Sequence, residues 1–232
     1  MKYIVLSLFP EMFESFINTS IIKKSMDNNF IQFEHINIRD FTKNKHNKTD
    51  DYPYGGGPGM VMTAQPLADA IKYAKEKSHG AKVIYFSPHG AVLNQQKVIS
   101  FSKEKEIILL CGHYEGIDYR IIEKYVDCEI SIGDYILTGG EIPAMVFMDS
   151  VSRYIEGVLG NQESVLEESF SKLLLEHPQY TRPRIFEEME VPDVLISGNH
   201  DKIKNWRLEK SLEITKQNRP DLYEMYKKDK TD

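Results

Sequence analysis

Cysteine is nearly absent: Cys111 and Cys128 are the only two among 232 residues. Two are too few for a disulfide framework, so the chain must be held by a buried core, and they suit a reducing compartment. No apolar run approaches the ~18 residues needed to span a bilayer. The first residues hold one lysine and an apolar run broken at Pro10 and Glu11, with no small-residue cleavage pattern after it. A cytoplasmic protein is the expectation. An excess of basic charge is also lacking. With 29 Lys and Arg against 35 Asp and Glu, the net charge of -6 gives no global field for nucleic acid. Any such binding must rest on local patches or on a surface made by two copies.

The usual nucleotide signatures are missing as well. Gly55 to Gly59 runs into Met60 and Val61 without the lysine of a phosphate-binding loop, and the first strand ends in Ser7-Leu8-Phe9-Pro10 with no glycine turn. A conventional NAD enzyme or P-loop NTPase is disfavoured. The seven histidines are scattered, and neither cysteine has a cysteine neighbour, so no metal site is expected. Internal repeats and low-complexity tracts are absent too.

What is present alternates between strand and helix patterns. Tyr3 to Phe9, Phe30 to Ile38, Val83 to Phe86, Glu106 to Cys111 and Val126 to Ile132 read as strands. Helices are expected from Pro10 onward through Ile17, over Gln65 to Lys77, Asn94 to Lys103 and Ile117 to Tyr125, and over the apolar Glu141 to Ile155. This order predicts an α/β layer with a largely parallel sheet, whose ligands bind beyond the carboxyl ends of the strands. Three loops lie there: Ser87 to Ala91, Gly112 to Gly116, and Ser131 to Pro143. The last has Gly133, Gly139 and Gly140, which let its backbone approach a ligand and offer N–H and C=O groups to an adenine edge. Arg39 to Met60 is expected to be one long functional loop. Beyond a polar, acidic boundary at Gly157 to Glu168, the chain reads as a small helical domain, with helices at Ile203 to Gln217 and, after Pro220, at Asp221 to Lys227.

Seven motifs, in order along nearly the whole chain, carry a resemblance. They are Ser7 to Phe13 (SLFPEMF), Asp50 to Met60 (DDYPYGGGPGM), Cys111 to Asp118 (CGHYEGID), Ser131 to Tyr135 (SIGDY), Gly157 to Asn161 (GVLGN), Tyr180 to Pro183 (YTRP) and Ser197 to His200 (SGNH). Together they resemble the bacterial tRNA (guanine-N1)-methyltransferases. The resemblance implies a SPOUT-type parallel-sheet domain with a deep trefoil knot over residues 1–160, a linker at 161–168 and a helical tRNA-binding domain at 169–232. Periodicity alone could not have indicated a knot, and the ordinary rules of chain topology argue against threading.

The same resemblance implies a homodimer with active sites shared between subunits. Its co-substrate would be S-adenosyl-L-methionine, and its target N1 of the guanosine directly 3′ of the anticodon, position 37 of tRNA, a modification that supports reading-frame maintenance. Carried over by matched position, Pro88, Gly112, Glu115, Ile132, Gly133, Asp134, Tyr135, Ile136, Leu137, Gly139, Gly140 and Pro143 would line the methyl-donor pocket. His46, Asp50, Ser169 and Arg182 would contact the RNA.

Guanine N1 carries a proton at neutral pH, so its methylation needs a general base and stabilisation of charge developing on O6. Arg153 matches the family arginine. Glu168 stands where the family has aspartate, which keeps the acid–base chemistry but moves the oxygens by a methylene; Glu167 beside it is an alternative contributor. By local sequence alone, Glu168 reads as part of a solvated acidic linker and Arg153 as a surface cation. Local basic patches occur at Arg39 to Lys48 and around Trp206, where Lys202, Lys204, Arg207 and Lys210 gather. Two other readings stand beside this one: a SPOUT methyltransferase acting on a different RNA nucleotide, and a non-catalytic RNA-binding protein with a vestigial donor site. A magnesium requirement is left open by the sequence.

Overall fold

A computed structural model describes residues 1–160 and 168–230. Of the expected linker at 161–168, only Glu168 is therefore described; Asn161 and Glu167 lie outside the described residues. The chain divides into two compact units, the first Met1–Gly160 and the second comprising the remainder.

The first unit is built on five strands in the order β2-β1-β6-β5-β7, all paired in parallel. They are β1 (Lys2–Ser7), β2 (Gln32–Asn37), β5 (Lys82–Val92), β6 (Glu106–Leu110) and β7 (Cys128–Ser131). A strand covered on both faces must be apolar along its length, and β1 is buried from Tyr3 to Ser7. Alternate residues of β1 serve two separate cores. Ile4 and Leu6 pack with Leu67, Ala70, Ile71 and Ala74 of α3 (Ala64–Glu76), whose spacing is that of one helix face. Tyr3 and Val5 face the other way, with Phe147, Met148 and Val151 of α6 (Glu141–Ser152). Short helices α4 (Gln95–Phe101) and α5 (Tyr119–Tyr125) are started by side-chain caps from Asn94 and Asp118.

Several expectations are corrected. Ser87 to Ala91 is an excursion within β5 rather than a loop after it, because Phe86 and Ala91 both stand opposite Ile130 of β7. Gly90 makes the return possible: a Cβ there would lie 2.4 Å from the Ile130 nitrogen. Arg39 to Met60 is not one open loop. It begins in a 3₁₀ turn (Ile38–Phe41) and closes as a hairpin of β3 (Asp50–Asp51) and β4 (Val61–Met62), strands too short to reveal a period. The helical start after Pro10 is three pieces: a 3₁₀ turn (Pro10–Phe13), α1 (Glu14–Ile17) and α2 (Ser20–Asp27), the last unanticipated.

The second unit is not wholly helical either. It has a small hairpin, β8 (Ile185–Phe186) with β9 (Met189–Glu190), pinned where Arg184 meets Glu190 and Asp193. Helices at Asp193–Ile196, His200–Asn218 and Pro220–Asp229 follow. Asn199 caps the long one by accepting from the Lys202 N–H at 3.1 Å. Thr215 ties it to the preceding segment, its hydroxyl accepting from the Leu175 N–H at 2.8 Å. Among the described residues, no helix is long and apolar enough to cross a membrane.

Candidate functional site

The carboxyl ends of β5, β6 and β7 open into a cleft of about 400 Å³, where a parallel α/β sheet is expected to bind its ligand. Three segments form it. The β5 excursion supplies Pro88; the loop after β6 supplies Gly112 and Glu115; and the stretch after β7 supplies Ile132, Gly133, Tyr135, Ile136, Leu137, Gly139 and Gly140, with Pro143 from the first turn of α6. Of the twelve residues expected in a methyl-donor pocket, only Asp134 is not on the wall.

Backbone dominates this wall. The Gly140 N–H donates to the Gly112 carbonyl at 2.8 Å, locking two of the loops together. The fit leaves no room for a side chain, since a Cβ on Gly140 would lie 2.7 Å from the Cys111 Cα and one on Gly112 would lie 2.9 Å from the Tyr85 ring. A cradle of this kind presents N–H and C=O groups at close range, which suits a flat, hydrogen-bonding heterocycle. Burial pushes the Tyr85 hydroxyl up to about 12 and holds the Cys111 thiol well above its usual range, so neither ionises near neutrality.

The hairpin of β3 and β4 is stitched onto the same cleft. The Glu115 N–H donates to the Met60 carbonyl at 3.0 Å, and the Met62 N–H to the Gly116 carbonyl at 2.9 Å. Gly59 lies so close to Glu115 that a Cβ there would be 2.4 Å from its Cγ. Asp50, half-buried opposite Met62, is thereby carried near the mouth, while Tyr54 at the tip is fully exposed. His46 stays on an exposed turn, its N–H donating to Asn44 Oδ1 at 3.1 Å.

Arg153 is not gathered into the cleft by its own chain. It caps the far end of α6, ten residues beyond Pro143, or about 15 Å along a helix axis. The second unit holds Glu168, half-buried, whose carbonyl accepts from the Ser171 hydroxyl at 2.7 Å. Ser169 accepts from the Glu176 N–H at 2.9 Å. Arg182 lines a different hollow, of about 460 Å³, with Tyr180, Arg184, Leu195, Ile203 and Arg207.

The Cys111 to Asp118 motif includes His113, and Glu141 opens an expected helix, but neither was assigned a role from sequence. His113 is on the cleft wall, and its Nε2 is 2.7 Å from Oε2 of the fully buried Glu141. Burial raises the Glu141 carboxyl, against which the adjacent His113 works. A glutamate at the start of an apolar helix pattern, immediately after a Gly-Gly pair, was the available signal. Among the described residues, no cluster of three or more His, Cys, Asp and Glu could hold a metal ion.

Parallel strand order and a backbone-walled cleft beyond the carboxyl strand ends define an α/β protein with a candidate ligand site built from its loops. Comparison with known proteins narrows this. The tRNA (Guanine-1)-methyltransferase TrmD family matches residues 1–225. The tRNA (guanine-N(1)-)-methyltransferase of Finegoldia magna is 55% identical over 230 residues, covering 99% of this chain and 98% of that protein. The protein of the same name from Clostridium perfringens SM101 is 55% identical over 232 residues, covering 100% and 97%. That from Caldanaerobacter subterraneus subsp. tengcongensis is 56% identical over 222 residues, covering 96% and 91%. The chain belongs to the tRNA (Guanine-1)-methyltransferase TrmD family, and it is a methyltransferase.

Proposed function

We propose that this chain transfers a methyl group from S-adenosylmethionine to N1 of the guanosine at position 37 of tRNA, directly 3′ of the anticodon, and so supports reading-frame maintenance. The observation that carries the reading is the glycine-walled cleft, in which eleven of the twelve residues matched to the family's donor pocket converge. Glycines that a Cβ would bring into collision at 112, 139 and 140 fit the close approach of a nucleoside. S-adenosylmethionine supplies the electrophilic methyl; the residues hold and orient it. Backbone groups between Ile132 and Gly140 would grip the adenine, and Pro143 and Leu137 would cover it. The knotted SPOUT arrangement is part of this proposal, supported by the tight passage of Gly140 against Cys111 and Gly112.

At the target base, Glu168 takes the N1 proton, and Arg153 donates to O6 as negative charge gathers there. A guanidinium presents two parallel N–H groups, which suits a carbonyl oxygen and a neighbouring acceptor. The span of α6 keeps Arg153 from the cleft of its own protomer, which supports a homodimer in which the partner supplies this arginine and Glu168. Ile142 and Val146, one turn apart on α6, are 42% and 43% exposed and offer an apolar stripe for that contact. The tRNA would also meet Asp50, His46 and Ser169, with Arg182 in the second hollow. The chain is proposed to work in the cytoplasm, in keeping with its proposed tRNA substrate.

The test is methyl incorporation from labelled S-adenosylmethionine into a tRNA transcript with guanosine at position 37, beside one with adenosine there. Incorporation into the first alone is expected. Incorporation into both would overturn the target, and binding of the methyl donor without incorporation into either would favour a non-catalytic RNA-binding protein.

A further inference from the structure

We propose that the buried His113–Glu141 pair is a positioning clasp that sets the shape of the cleft, and hence its affinity for the methyl donor; this rests on the assignment of the cleft to S-adenosylmethionine. Glu141 is 0% exposed although it is a carboxylate at the mouth of an apolar helix. Its Oε2 meets His113 Nε2 at 2.7 Å, while Oε1 is buried without a well-formed hydrogen bond among the described residues, the Ser7 side chain standing close to the carboxylate. Such a group is a poor choice for stability, since an apolar side chain of similar size would avoid the cost of desolvation. The position of the pair gives it another use.

His113 stands where four segments meet. Its ring is edge-on to Phe9, just after β1, with centroids 4.8 Å apart. Its N–H donates to the Met62 sulfur at 3.2 Å, joining it to the β3–β4 hairpin. Its backbone forms a bridge with Gly139 in the loop after β7. Through Glu141 it reaches the first turn of α6. Gly139 is enclosed by the pair so closely that a Cβ there would lie 2.3 Å from His113 Nε2 and 2.7 Å from Glu141 Oε2. The hydrogen bond between a histidine on the wall and a carboxylate behind it therefore joins the Gly140–Gly112 bond and the His113–Gly139 bridge in holding two of the three cleft loops in register. Glu141 is not on the wall, so it acts on the ligand only through His113.

The test uses the full chain. Binding of S-adenosylmethionine is measured by calorimetry, and KM for donor and for tRNA by steady-state kinetics, for His113→Leu, His113→Gln, Glu141→Gln and the double variant His113→Leu/Glu141→Leu. His113→Leu is expected to weaken donor binding by about tenfold or more, with kcat at saturating donor and KM for tRNA within about threefold. His113→Gln, whose amide can donate from nearly the same place, should recover most of the loss. The double variant should be no weaker than His113→Leu, because the two groups act as one unit. Glu141→Gln keeps the volume and replaces a charge-assisted bond by a neutral one, so a loss of about threefold is expected even if His113→Leu does not fold. Unchanged donor affinity in His113→Leu, or in Glu141→Gln where His113→Leu does not fold, would overturn the clasp. So would losses that multiply in the double variant. A wild-type chain that binds no S-adenosylmethionine would overturn the donor assignment, and the clasp's role with it.

Discussion

In the first unit β1 is buried from Tyr3 to Ser7 and divides its side chains between two cores, whereas in the second the nineteen-residue helix His200–Asn218 buries only Ser211 and Thr215. Leu174 is the only buried apolar side chain among the described residues of the second unit. Large apolar groups there lie open instead, among them Tyr180, Ile185, Phe186 and Met189. A unit with so small a core gains little from folding alone. Its surface, with Arg182 and Arg207 lining a hollow and open aromatic rings, is suited to a partner that supplies the missing contacts. One region spends its sequence on a rigid cradle, and the other spends it on an adaptable face.

If chemistry depends on a residue from each unit, the sharpest cut is Glu168→Gln. Turnover should fall by ~10²- to 10⁴-fold, while calorimetry with S-adenosylmethionine on the first unit's cleft stays unchanged. Equal turnover would remove Glu168 from the chemistry. Next, the cores should differ in what they lose. Phe147, whose ring lies 5.8 Å from that of Phe86 and 5.1 Å from that of Phe101, is fully enclosed; Phe147→Ala should cost about 3–5 kcal/mol in denaturant unfolding. Leu174→Ala should cost less, near the lower end of the usual ~2–5 kcal/mol for such a truncation, because few buried neighbours surround it. A larger loss at Leu174 would show that the second unit is better packed than its burial implies.

Smaller still are changes on the second unit's face. Arg182→Gln and Arg207→Gln should each raise KM for tRNA several-fold, leave kcat alone, and reduce the salt slope of binding by about one. An unchanged slope would place the RNA elsewhere. The smallest effect belongs to the first unit's exterior, where Glu34 joins Lys2 at 2.9 Å and Lys77 at 2.6 Å. Hydrogen bonds from Lys77 and then Lys2 hold its carboxyl below its ordinary value. A depressed carboxyl contributes stability above its unfolded pKa and loses it as pH falls through the folded value. Glu34→Gln should therefore flatten the acid limb of the stability curve, by less than about 1 kcal/mol, since both lysines remain partly in water. Melting curves from neutral to acid pH would test this.

Much of the first unit was legible because its strands are continuous apolar runs and α3 repeats on one helix face. Loops after β6 and β7 followed from those strands, and motif resemblance put names to their residues. Legibility failed where pairing is decided at a distance. Pro88 and Gly90 looked like the end of a strand, yet Ala91 and Val92 rejoin β7 on the far side. Asp50–Asp51 and Val61–Met62 have no pattern of their own and become strands because Gly116 and Thr49 hold Met62 and Thr63 in place. His113–Glu141 depends on a contact between positions 28 apart, which no local spacing displays. Arg184 with Glu190 and Asp193 made a hairpin where only helices were expected.

Helix α6 meets the cleft wall at Pro143 in its first turn and ends at Arg153, and its length acts as a ruler. One residue inserted between them would turn the guanidinium through about 100° and advance it by about 1.5 Å, with the cleft residues themselves unchanged. On the proposed role of Arg153, the count of residues in this helix is thus as much a specification of the enzyme as their identity, and an insertion that left Arg153 and Glu168 in the sequence would still be expected to abolish turnover.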